Sequence, residues 1–258
     1  MLKTRVIPTL LWKNLGLVKG VAFDSWRRVG TIMPAIKVYN TRQVDELIVL
    51  DITATSQRRL PDFDEIREFS AECFVPLTVG GGVRTVEDIR ELLRSGADKV
   101  SINSAAFDRP ELIREAAERF GSQCIVVSID ARRNANKHYD CLSHSGTRCT
   151  GKDVGEWALE IEKLGAGEIL ITSVDRDGTM QGYDIDLVKL VTDRVKIPVI
   201  ASGGAGSYEH MCEALHAGRA SAVAAASMFH FTEQTPLGAK QFLSGRGIAV
   251  RDVKIKSM

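Results

Sequence analysis

Apolar residues fall into eight short, mostly unbroken runs along this chain, each followed by a stretch with helical spacing. The runs lie near residues 5–11, 46–52, 75–80, 98–103, 124–130, 168–173, 197–202 and 220–226. Continuous runs of this kind predict parallel strands covered on both faces, not half-exposed antiparallel ones. Between them, apolar positions recur at i, i+3 and i+4. They predict helices near 33–43, 63–73, 85–95, 109–119, 152–164, 184–194, 207–217 and 235–245. In the third unit Val86, Ile89, Leu92 and Leu93 share one face, and Gly96 stops the helix. Eight βα units in 258 residues predict an α/β fold, a closed (β/α)₈ barrel. An open doubly wound sheet is the alternative topology.

An internal repeat favours closure. Val79 to Ala106 and Ala201 to Ser227 share a design of strand, glycine turn, helix and strand. At an offset of 122 residues, Gly81 matches Gly203, Glu87 matches Glu209, and Gly96 matches Gly218. At the same offset Glu46-Leu-Ile-Val-Leu matches Glu168-Ile-Leu-Ile-Thr. RVIPTLL from Arg5 matches CIVVSID from Cys124 at an offset of 119. Register-matched blocks indicate two homologous half-barrels, about 1–120 and 121–258, within one domain. Two connections are long: Lys13 to Ile32 after strand 1, and Ala131 to Gly151 after strand 5. Both fall on the strand-end face, and the second has the pattern of a hairpin.

Composition narrows the function classes. Apolar residues at 44% and charged residues at 26% are ordinary globular values. A net charge of +1 provides no basic field for nucleic acid. No run reaches the length of a membrane span. Five cysteines without a CxxC spacing suggest reduced thiols and a cytoplasmic location.

In a (β/α)₈ barrel the ligand groups sit at strand C-termini. Here those ends carry Leu11, Asp51, Gly80–Gly82, Asn103 with Ser104, Asp130, Asp175 with Asp177, Ser202–Gly204, and Ala226 with Ser227. Two matched glycine turns, each before a helix N-terminus, suit a substrate with a phosphate at each end. Asp130 ends an apolar strand, where a carboxyl can be tuned for proton transfer; it can instead pair with Arg132 or Arg133. Asp177 can accept hydrogen bonds from substrate hydroxyls, and Gly178 frees N–H groups for phosphate. Lys19, in the glycine-flanked loop Gly16 to Gly20, either closes over an anion or is a solvated surface lysine.

The strand-start face carries Arg5, Glu46, Lys99 and Glu168, alternating in sign. They form either isolated pairs or a ring across the barrel floor. His138, Cys141, His144 and Cys149 lie close together in sequence, but their spacing fits no standard zinc site, and no metal or other cofactor is expected.

The motifs LVKGVAF, VDELIVLDITA, PLTVGGGVR, GADKVSINSAA, FGSQCIVVSIDA, GAGEILITSVDRDGT, PVIASGGAG and FHF run over nearly the whole chain. On these the sequence resembles the cyclase family of imidazole glycerol phosphate synthase. The resemblance implies a barrel paired with a glutaminase subunit. Ammonia released by that partner crosses the barrel to a bis-phosphate ribonucleotide at the mouth. It puts anion contacts on Gly82, Asn103, Ser104, Gly178, Gly204, Ala226 and Ser227; as strand-end carboxylates, Asp51 and Asp177 are further candidates for substrate contact. It puts the catalytic roles on Asp130 and Lys19, an ammonia gate on Arg5, Glu46, Lys99 and Glu168, and a partner contact on Asp98. Neither nucleic acid nor membrane is implied as a partner.

One position departs. The family's second catalytic aspartate falls on residue 11, which is leucine in IPTLLW. The internal repeat finds the same position independently, because Leu11 is the repeat mate of Asp130. Leucine cannot exchange a proton, and general acid–base catalysis contributes roughly 10²- to 10⁴-fold. The next stretch, KNLG, is also altered. In this respect the chain is similar to diverged paralogues that serve amidino-sugar synthesis for surface polysaccharide, where the barrel acts as an ammonia conduit. A sugar-phosphate isomerase of the sister design is a further alternative, but it too needs carboxylates on strands 1 and 5.

Overall fold

The computed structural model describes residues 3–14 and 16–251. Leu15 of the KNLG stretch and the outermost residues of the single-domain assignment lie outside it. Among the described residues twelve strands and ten α-helices follow one another. The first half contains β1 (Arg5–Lys13), β2 (Gly16–Val21), β3 (Asp24–Gly30), α1 (Ile32–Thr41), β4 (Leu47–Asp51), α2 (Phe63–Ala71), β5 (Leu77–Gly80), α3 (Val86–Arg94), β6 (Lys99–Ile102), α4 (Ser104–Asp108) and α5 (Glu111–Phe120). The second half contains β7 (Ile125–Arg133), β8 (Tyr139–Ser143), β9 (Arg148–Asp153), α6 (Val154–Lys163), β10 (Glu168–Ser173), α7 (Ile185–Thr192), β11 (Val199–Ser202), α8 (Tyr208–His216), β12 (Ala222–Ala225), α9 (Ser227–Phe231) and α10 (Pro236–Gly245). The order of elements in the first half recurs in the second, as the sequence offsets require.

Eight parallel strands close on themselves in the order β1-β4-β5-β6-β7-β10-β11-β12, with β12 returning to β1. Closure leaves no barrel edge unpaired. The helices form the outer layer, each with a buried stripe such as Ile89 and Leu92 on α3 or Trp157 and Ile161 on α6. Helix starts follow their caps. Thr85 and Asp88 form a capping box at α3, and Ser207 accepts from the His210 amide at α8. A second apolar cluster fills the barrel lumen: Ile7, Ile48, Val126, Leu170 and Ile200, with Ala222 and Ala224.

Strand period sets the lumen's layers. On β1, Arg5, Ile7, Thr9 and Leu11 share the inward face: Arg5 joins the floor ion pairs, Ile7 the apolar plug, and Thr9 and Leu11 the mouth. On β7, Val126, Ser128 and Asp130 follow the same sequence.

The long connection after β1 is not an open loop, as the sequence suggested. It is the antiparallel hairpin β2–β3, paired to β1 through Leu11↔Val18 and Trp12↔Leu17. The connection after β7 is the expected hairpin, β8–β9. The two short helices α4 and α9 were not visible in the pattern.

Candidate functional site

A cavity opens at the strand-end mouth of the barrel. Its wall includes nearly all the strand-end residues singled out from sequence: Asp51, Gly82, Asn103, Ser104, Asp130, Asp177, Gly178, Gly204, Ala226 and Ser227. The folding of β1 to β12 into one barrel is what gathers these dispersed positions.

Asp130 sits at the centre. It is buried at the end of the apolar strand β7, and its Oδ2 accepts from Asn103 Nδ2 at 2.8 Å. Burial pushes its carboxyl up to about 7; the Asp177 charge pushes the same way, and the Asn103 hydrogen bond opposes both. Near neutral pH such a group takes or gives a proton with equal ease. The pairing with Arg132 or Arg133 does not form: Arg132 binds Asp175, and Arg133 lies against Asp186.

Lys19 corrects the sequence reading. It is neither in a loop nor solvated. It stands in β2, 2% exposed, with Nζ 2.5 Å from Asp177 Oδ2. The Ala22 amide also donates to the Asp177 carbonyl at 2.8 Å. These bonds draw the β2–β3 hairpin across the mouth, and Phe23 and Trp26 join the cavity wall. Sequence reading missed both aromatics. Trp26 stands in β3, which is mostly exposed and lacks an apolar signal, and Phe23 lies in a turn that uses Ala22, Phe23 and Ser25 at φ near +50 to +61° instead of glycine.

The two matched glycine turns sit on opposite halves. Gly82 precedes α3 and Gly204 precedes α8. At both, a side chain is excluded: φ is +76° and +108°, and an added Cβ would lie 2.8 Å from Arg59 O and 2.1 Å from Gly182 O. Among the described residues the hydroxyl of the buried Ser227 in the second half has no partner, nor has the side-chain amide oxygen of Asn103 in the first. Buried polar atoms are normally paired, so these two are free to meet a ligand. Ser104 is engaged, its hydroxyl accepting from the His144 amide at 2.9 Å.

Asp51 lies in the wall, and its carboxylate also binds locally. Oδ1 accepts from the Thr53 amide at 2.9 Å and the Ala54 amide at 3.0 Å, and Oδ2 accepts from Arg59 Nη2 at 2.8 Å. It shapes the loop after β4. Leu11 stands in the wall where the repeat mate of Asp130 belongs, and presents only carbon.

At the opposite end the four charges close into a ring. Arg5 binds Glu46 at 2.8 Å and also Glu168; Lys99 binds Glu46 at 3.0 Å and Glu168 at 2.7 Å. Thr78 donates to Glu46 at 2.9 Å. Burial alone would raise the Glu168 carboxyl, but Arg5 and Lys99 outweigh it and hold it below the usual range. Burial likewise opposes the Arg5 charge, and Glu168 with Glu46 overcomes it. Asp98 is exposed on this face, with Oδ2 accepting from the Leu77 amide at 2.8 Å.

Among the described residues no group of His, Cys, Asp or Glu is arranged to hold a metal ion, His138, Cys141, His144 and Cys149 included. All five cysteines are free thiols. No helix among the described residues is long and apolar enough to cross a membrane. A family model described as "Histidine biosynthesis protein" matches residues 5–235.

Proposed function

The chain belongs to the histidine biosynthesis protein family of barrel enzymes, and on that premise we propose that it joins ammonia to a phosphorylated substrate. A glutaminase partner on the strand-start face supplies the ammonia, which passes the Arg5–Glu46–Lys99–Glu168 ring and the lumen to the strand-end cavity. Gly82 with Asn103 and Ser104 holds one phosphate of the substrate; Gly178, Gly204, Ala226 and Ser227 hold the other. Asp130 relays the proton that ammonia must shed as its nitrogen forms the new bond. The observation that carries this reading is the pairing of one tuned carboxyl at the mouth with a closed ion-pair ring at the floor of the same barrel.

Leu11 favours a narrower version. Ring closure to an imidazole needs a proton removed at one point and delivered at another, and two carboxylates of separate pKa suit that work. This chain keeps one. The proposed reaction is therefore amine addition to an electrophile activated elsewhere, with ring-closing activity impaired or lost. A conduit serving an amidino-sugar pathway is the second reading, and Leu11 is its support.

Labelled glutamine tests the proposal. With the cognate glutaminase present, ¹⁵N from the glutamine amide should appear in the phosphorylated product only when this barrel is added, and the two proteins should assemble 1:1. Label found only as free ammonia, with no complex, overturns it.

A further inference from the structure

Thr9 carries a polar atom that the rest of the protein leaves unused. It lies on β1 two residues before Leu11, is 7% exposed, and lines the floor of the mouth cavity. Its hydroxyl has no hydrogen-bond partner among the described residues. A buried hydroxyl without a partner is costly enough that native structures rarely keep one. The internal repeat puts a second hydroxyl on β7, across the barrel. Ser128 stands to Asp130 as Thr9 stands to Leu11, and it lines the same cavity. Beneath them lies the apolar plug of Ile7, Ile48, Val126, Leu170 and Ile200. Anything small that crosses this plug from the floor reaches Thr9 and Ser128 before it reaches Asp130.

We infer that Thr9 and Ser128 hold the ammonia molecule at the cavity floor, one strand step below the substrate. The inference rests on the ammonia-using function proposed above and adds a holding site to it. Hydroxyls suit a neutral amine, because each can accept an N–H or donate to the nitrogen lone pair. They ask for no counter-charge, which the apolar layer beneath does not supply. On the β1 side Leu11 offers no hydrogen bond, so Thr9 is the group that fixes the nitrogen there. Threonine also keeps the β-branched shape the strand prefers.

The test uses crystals of the full chain without substrate, soaked in methylamine at high pH. The added methyl group distinguishes an amine from an ordered water. Density for both atoms, with the nitrogen about 2.7–3.2 Å from Thr9 Oγ1, is the expected result. It should persist in Thr9→Ser and vanish in Thr9→Val, which keeps the side-chain shape. An empty floor, or a single-atom peak that methylamine does not alter, overturns the inference. In turnover, Thr9→Val should raise the KM for ammonium about fivefold, as the loss of one hydrogen bond does, and leave the KM for the phosphorylated substrate unchanged. Equal changes in both would reduce Thr9 to a structural role. The soak needs no substrate, so the two claims fail separately. Methylamine bound at Thr9 with no label transferred from glutamine sinks the proposed function. Label transferred with an empty floor sinks only this inference.

Discussion

Replacing Asp130 by asparagine should make the protein more stable at alkaline pH and change little in acid. The folded carboxyl is raised from 3.8 to about 7, first by burial and then by the Asp177 charge. Between those two values the folded state binds more protons than the unfolded state. Stability therefore falls as pH rises through that window and stays low above it. A displacement of about three pH steps at 1.36 kcal/mol each is worth up to about 4 kcal/mol. Asparagine does not titrate, and it can turn its carbonyl oxygen toward Asn103 to keep the 2.8 Å hydrogen bond. The stability of Asp130→Asn minus that of the natural protein should thus climb by up to about 4 kcal/mol from pH 4 to pH 8. Urea denaturation at a series of pH values gives the difference directly, and any pH-independent packing cost drops out of its slope. A difference that stays flat would show that Asp130 is charged throughout, and would remove its role as a proton relay near neutral pH.

Three further outcomes follow from the same geometry. Glu168→Gln should lower thermal stability at pH 7, and the gap should close as pH falls below the ordinary glutamate value, because a carboxyl held low contributes stability only while it is charged; a gap that persists in strong acid contradicts the ring. Lys19→Met leaves Asp177 without its buried partner, a change of the kind that costs about 3–5 kcal/mol, and should strip hydrogen-exchange protection from β2 and β3 ahead of the barrel strands. Ser227→Ala should not lower the melting temperature, because its buried hydroxyl makes no bond among the described residues, yet should weaken inorganic phosphate binding about fivefold, read by titration calorimetry.

The barrel was legible because burial on both faces writes itself as continuous apolar runs, and because the halves share their register. Seven of the eight predicted strands lie within two residues of their observed ends; β7 runs three residues past its predicted end, into the β8 hairpin. The floor ring was legible for the same reason: four strand starts of alternating sign converge once the barrel closes. What lay outside the pattern was local. The β2–β3 hairpin hides its turn in Ala22 and Phe23, and β3 is too exposed to carry an apolar signal. The glycines around Lys19 therefore read as a loop, while the folded chain buries the lysine against Asp177. Asp51 ends a strand and lines the mouth, and it also binds two loop amides and Arg59, local partners that no strand-end rule foresees. Helices α4 and α9 span only five residues each, too few for a helical period to appear.

The most direct test of the account concerns position 11. Natural protein, Leu11→Asp, and Leu11→Asp combined with Asp130→Asn are each given the imidazole-forming bis-phosphate ribonucleotide and an ammonium salt at high pH, without glutaminase, and loss of the precursor is followed. Two facing carboxylates are what the ring closure requires, so Leu11→Asp should raise the rate at least about tenfold over a slow or undetectable natural rate, and Asp130→Asn should abolish the gain. A natural protein that closes the ring at full speed would contradict the single-carboxylate account.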